Sequence, residues 1–80
     1  MKTLREIKGF RVVDLYSGER GPVTVPKGSK VGRVSVDVRD AIFGEPVAWM
    51  DVEIDGKVET VGAINLPVFK LGWRREYFGE

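Results

Sequence analysis

The sequence predicts one small all-β domain over residues 1–80, an antiparallel barrel of five to six short strands. Three observations lead there. Short runs rich in valine and aromatic residues recur along the 80-residue chain between turns rich in glycine and proline. One run, RVSVDVR at 33–39, alternates throughout, with Val34, Val36 and Val38 on one side and Arg33, Ser35, Asp37 and Arg39 on the other. No stretch repeats apolar residues at the spacing of an amphipathic helix.

Taken in order, MKTLREIK reads as one helical turn or a frayed strand, ended by Gly9. FRVVDLY at 10–16 is a strand bounded by the turn SGERGP. VTV at 23–25 is a short strand stopped by Pro26, which has no N–H to give to a ladder, and PKGSK turns the chain into the alternating run. DAIFGEP is a connection whose Ile42 and Phe43 are expected to fold back onto the core. VAWMDVEI and KVETVGAI form a hairpin, and NLPVFKLGW brings a short turn and a last strand, with RREYFGE left unassigned. A long early loop, three central antiparallel strands, a short turn and a closing strand resemble the order of elements in SH3-like barrels. GPVTVPK at 21–27 is similar to the start of the swapped-hairpin fold of AbrB-type antitoxins. That family continues into a short helix with a Leu-Gly ending, whereas this chain continues GSKVGRVSVDV, so DNA binding is not carried over.

The hairpin turn Asp55-Gly56 allows two registers. A two-residue loop sets Ile54 opposite Lys57 and Val52 opposite Glu59, mixing core with surface. A three-residue loop over 54–56, with Gly56 in the left-handed conformation of a bulge, pairs Glu53 with Lys57 and Val52 with Val58, and is the expected register. It leaves Asp51 facing Glu59 on the outer side and carries Trp49 and Val61 onto that same face, where Trp49 is either a surface residue beside two acids or is covered by a loop or the C-terminal segment and made core.

Composition excludes several chemistries. There is no Cys and no His, which removes disulfides, thiolate chemistry, zinc-thiolate sites and the commonest general base. Carboxylates remain, but the paired carboxylates of glycoside chemistry need a cleft that an 80-residue barrel has little room for, so no catalytic residue, metal site or cofactor is expected. No apolar run approaches the roughly 18 residues of a membrane span, and a charge stands where a secretory signal would have its apolar centre. A cytoplasmic protein is expected. The absence of Gln, a single Asn and abundant Lys, Arg and Glu form a thermophile signature.

The expected function is a non-catalytic protein-interaction or assembly module, binding a protein partner or forming a homo-oligomer. Its candidate residues are Trp49 on the outer hairpin face and Trp73, Arg74, Arg75, Tyr77 and Phe78 in the C-terminal segment, since Trp, Tyr and Arg are enriched at interaction hot spots. Trp73 and Tyr77 are four apart and would form one aromatic patch on a helical turn. So aromatic a terminus is docked on its own domain, docked on a partner, or prone to aggregate. The alternative is RNA or single-stranded DNA, gripped by Arg33, Arg39, Arg74 and Arg75 with stacking on Tyr16 or Trp73. The net charge of +1 weakens that reading, because each contacted phosphate needs a cation nearby.

Overall fold

The computed structural model describes residues 1–14, 16–40 and 44–80. It is mostly β, in two antiparallel sheets. The strands are β1 (Lys2–Thr3), β2 (Ile7–Asp14), β3 (Glu19–Val25), β4 (Val31–Asp37), β5 (Val47–Ile54), β6 (Lys57–Ala63) and β7 (Phe78–Gly79), with a short helix, α1 (Trp73–Tyr77), before the last. The large sheet has the order β3-β2-β6-β5-β4, and β1 pairs with β7 in the small one. Among the described residues no helix is long and apolar enough to cross a membrane. The expectation for Ile42 and Phe43 lies outside the described residues.

The alternating run follows its pattern as far as Asp37, where β4 ends; Val38, expected on the buried side with Val34 and Val36, is 60% exposed. Val34 and Val36 turn inward, and Arg33, Ser35 and Asp37 face solvent. On β5, Ala48, Met50 and Val52 point the same way and meet Ala63 and Val61 of β6 across the ladder. Ile7 and Val25 complete this inner face from the β2–β3 hairpin. The three central antiparallel strands expected from the sequence are β4, β5 and β6, and β6 returns beside β2. No ladder joins β3 to β4 among the described residues. With extents of 35 × 31 × 16 Å, the fold is a slab about as thick as one sheet with one covering layer, given that packed layers lie about 10 Å apart.

The covering layer is where expectation and structure part. NLPVFKLGW holds no strand: Lys70 N–H donates to the Pro67 carbonyl at 2.9 Å and Trp73 N–H to that of Lys70 at 3.2 Å, so the segment advances as successive turns. Pro67 lacks a ladder donor and Gly72 sits at φ 79, which bends the chain before it enters α1. Leu66, Val68, Trp73, Tyr77 and Phe78 then close over the inner face of the sheet. The N-terminus, frayed in expectation, is stitched into the same layer. Buried Thr3 donates its hydroxyl to the Pro26 carbonyl at 2.8 Å and accepts from Ser29 N–H at 3.0 Å, while Leu4 N–H reaches the Tyr77 carbonyl at 2.7 Å.

The hairpin register is also corrected. Ile54 faces Lys57, Val52 faces Glu59 and Glu53 faces Val58, so the loop has two residues, with Asp55 at φ 51 and Gly56 at φ 78. Positive φ at both positions is the turn whose twist matches that of the flanking strands. The mixing of core and surface that argued against it is accommodated strand by strand: Val52 and Ile54 of β5 pack on the core, while on β6 Lys57 is exposed and Glu59 receives Arg11 Nη1 at 3.2 Å from the neighbouring strand. Val61, expected outside, is fully buried.

Candidate interaction surface

Two surfaces emerge, one on each side of the sheet. The outer face carries a row that crosses all five strands: Pro22, Phe10, Gly62, Trp49 and Ser35. Phe10 and Trp49 meet edge to face across Gly62, with ring centroids 5.7 Å apart. Gly62 is required there, since a Cβ would lie 2.8 Å from an atom of each ring. The Arg20 guanidinium lies 5.0 Å from the Phe10 ring centroid, and Thr60 donates to Asp51 at 3.1 Å beside Trp49. An open depression of about 470 Å³ runs past Lys8, Phe10, Arg20 and Pro22.

Trp49 therefore occupies the outer face beside Asp51, as its parity predicts, and is partly buried by Phe10. The C-terminal aromatics are on the other side. Trp73 is 6% exposed and Phe78 is equally enclosed, so both are core residues and not contact residues; their rings lie 6.2 Å apart. The helical pairing of Trp73 with Tyr77 is present at 6.4 Å, but the patch it makes faces inward. One continuous surface from Trp49 to the C-terminus does not exist, because the sheet stands between them.

What the terminus shows to solvent is different. Leu71 is 99% exposed and Phe69 73%, both held out by the hydrogen-bonded turns that bury Val68 and Trp73 beside them. They share a depression of about 650 Å³ with Lys70, Arg74 and Arg75. Arg74 packs its guanidinium 5.3 Å from the Trp73 ring and donates Nη1 to the Val34 carbonyl at 3.1 Å, which brings the apolar turn to the outer edge of β4. Sequence reading missed Phe69 and Leu71 because a strand would have alternated them into a packed face; the signal for turns was Pro67 followed by Gly72.

The arginines and aromatics of the nucleic-acid alternative are only partly brought together. Arg33 lies on β4 next to Val34, whose carbonyl Arg74 reaches, and Arg39 lies just beyond the end of that strand. Tyr16 is fully exposed at the tip of the β2–β3 hairpin, on the far side of the sheet, and buried Trp73 offers no face for stacking.

Glu76 anchors α1 from outside. Its carboxylate accepts from Lys70 Nζ at 2.9 Å and lies 3.9 Å from Arg5, whose guanidinium also sits 5.0 Å from the Tyr77 ring centroid. The hydrogen bond from Lys70, reinforced by its charge, holds the Glu76 carboxyl below its ordinary 4.5. A lowered native value means that the contribution is complete above pH 4.5 and is lost as the pH falls through the native value. We expect the stability gap between the wild type and Glu76→Gln, followed by urea unfolding across acid pH, to narrow as the carboxylate protonates. A gap that stays constant would show that the carboxylate charge contributes nothing.

No protein-family model, curated protein or solved structure matches this chain.

Proposed function

We propose that this chain is a non-catalytic protein-interaction or assembly module, which binds through the exposed C-terminal turns and the adjoining edge of β4. The observation that carries this reading is the presentation of Phe69 and Leu71. Two large apolar side chains, both mostly exposed, are held there by a hydrogen-bonded backbone docked on a buried Trp73, which is a preorganised contact and not a frayed end. Arg74 and Arg75 beside them supply the polar rim and favour a partner that places carboxylates there. The neighbouring backbone of β4 offers main-chain hydrogen bonds to an extended segment, the mode in which a strand is added to a sheet.

A second reading is nucleic acid on the outer face, favoured by Lys8, Arg20 and Arg33 around the Phe10–Trp49 pair. Asp37, Asp51 and Glu53 share that face and oppose a polyanion. The two readings separate in one nuclear magnetic resonance titration with two probes, an extended peptide of alternating valine and glutamate and a single-stranded oligothymidylate at low and physiological salt. The peptide is expected to shift the amides of β4 and residues 69–75, and Leu71→Asp to abolish that response. No response to the peptide, with salt-sensitive shifts around Trp49 from the oligonucleotide, would overturn the reading in favour of the second.

A further inference from the structure

We infer that the partner at the β4 edge is a second copy of this chain, docked strand to strand across a two-fold axis through Ser35. The inference rests on the reading above and names the occupant of that same edge. The geometry begins with Arg74: its side chain reaches the Val34 carbonyl from the side away from β5. Residues of an antiparallel strand turn their backbone groups alternately to one neighbour and the other. Arg33, Ser35 and Asp37 therefore serve the ladder with β5, while Val34 and Val36 direct N–H and C=O outward. The start of the edge is already taken, since Val31 exchanges hydrogen bonds with Met1 at 2.7 and 3.2 Å. The stretch 33–37 remains, and no strand pairs with it among the described residues.

Charge selects the register. With the axis at Ser35, Val34 of one copy opposes Val36 of the other, and both are outward-facing residues able to exchange two hydrogen bonds. Arg33 then opposes Asp37 twice, once on each side of the axis, in the wide positions where side chains approach most closely. Shifting the axis to Val36 sets Arg33 against Arg39, and shifting it to Val34 sets Arg33 against Ser35, which removes both pairs. Arg33 and Asp37 are exposed, and among the described residues neither forms an ion pair within the chain. A symmetric contact also closes on itself and so ends at the dimer. An edge-only contact falls at the small end of interfaces, below about 1,200 Å², the class of weak and transient association. Arg74 is the competitor, because Val36 of the second copy replaces it at the Val34 carbonyl.

The test is the solution mass by sedimentation up to millimolar protein, for the full chain and for Arg33→Asp, Asp37→Arg and the double exchange Arg33→Asp/Asp37→Arg. The wild type is expected to dimerise, each single variant to weaken association at least tenfold, and the double variant to recover it. Amide exchange at high concentration should protect Val34 and Val36 selectively, and Arg74→Ala should strengthen the dimer. A wild type that stays monomeric overturns the inference, as does a dimer indifferent to the charge exchange. A chain that associates only as Arg74→Ala overturns it too, and makes Arg74 a guard of the edge. If the valine–glutamate peptide still binds a monomeric wild type, the interaction reading stands and only the second copy falls; if neither peptide binding nor association is seen, both fall.

Discussion

Replacing Gly9 with alanine is expected to lower the unfolding free energy by about 2–3 kcal/mol, the upper part of the range for overpacking a tight contact. A Cβ on Gly9 would lie 2.5 Å from the Gly62 carbonyl oxygen and 2.7 Å from Val61 Cγ1. The first of these is backbone, and it sits beside Phe10–Gly62, the residue pair that joins β2 to β6 and so ties the β2–β3 hairpin to the three-stranded meander. Nothing there can give without parting the two halves of the sheet. Gly21→Ala is the matched control, because its Cβ would meet Val13 Cγ2 at an ordinary 3.5 Å; it should stay within about 0.5 kcal/mol of the wild type. Urea unfolding of both variants checks the contrast. Equal midpoints would mean that the β2–β6 junction is not the tight element of the fold.

Trp73→Ala is expected to cost about 3–5 kcal/mol, the range for deleting a large buried aromatic. The indole is packed among Tyr77, Phe78 and the inner face of the sheet. For a domain of this size, total stability of about 4–12 kcal/mol makes that loss a large fraction of the whole. Trp73→Phe retains a ring in the same site and should keep the chain folded at a smaller cost. Thermal unfolding with near-ultraviolet circular dichroism reads both. Peptide binding at Leu71 should disappear with Trp73→Ala and survive Trp73→Phe, because the buried ring anchors the turn that presents Leu71. A loss below about 1 kcal/mol for Trp73→Ala would show that the C-terminal segment is not part of the core.

Much of the sheet was legible because strand signals are local. Alternation in 33–39, the Asp55-Gly56 turn and the runs on either side of it all report the period-2 geometry of a half-buried strand; β5 and β6 lie where those patterns put them, and β4 lies two residues earlier, at 31–37. Trp49 was placed on the outer face by parity alone. The register of the hairpin was not legible in the same way. Choosing between two- and three-residue loops required knowing that the core ends before Lys57 and Glu59, and that Arg11 comes from a strand over forty residues away to meet Glu59.

The candidate site was less legible still. Trp73, Tyr77 and Phe78 have the composition of a contact surface, and the same composition suits a core lid; which face of a five-residue helix is covered depends on the sheet beneath it. Phe69 and Leu71 were hidden for the converse reason. Their exposure follows from turns whose hydrogen bonds reach only two or three residues along the chain, and from a covering layer that Leu66, Val68 and Trp73 have already filled.

The sequence by itself determined the class of the fold, its central meander and the chemistry it lacks, because periodicity, turn residues and the absence of Cys and His act over a few residues or over none. Tertiary structure alone decided which aromatics are core, which apolar side chains face solvent and which strand lies at the edge of the sheet. Those outcomes depend on long-range contacts: Phe10 against Gly62, Thr3 against Pro26 and Arg74 against Val34. Burial is a property of what lies opposite a residue, and no local pattern encodes its identity.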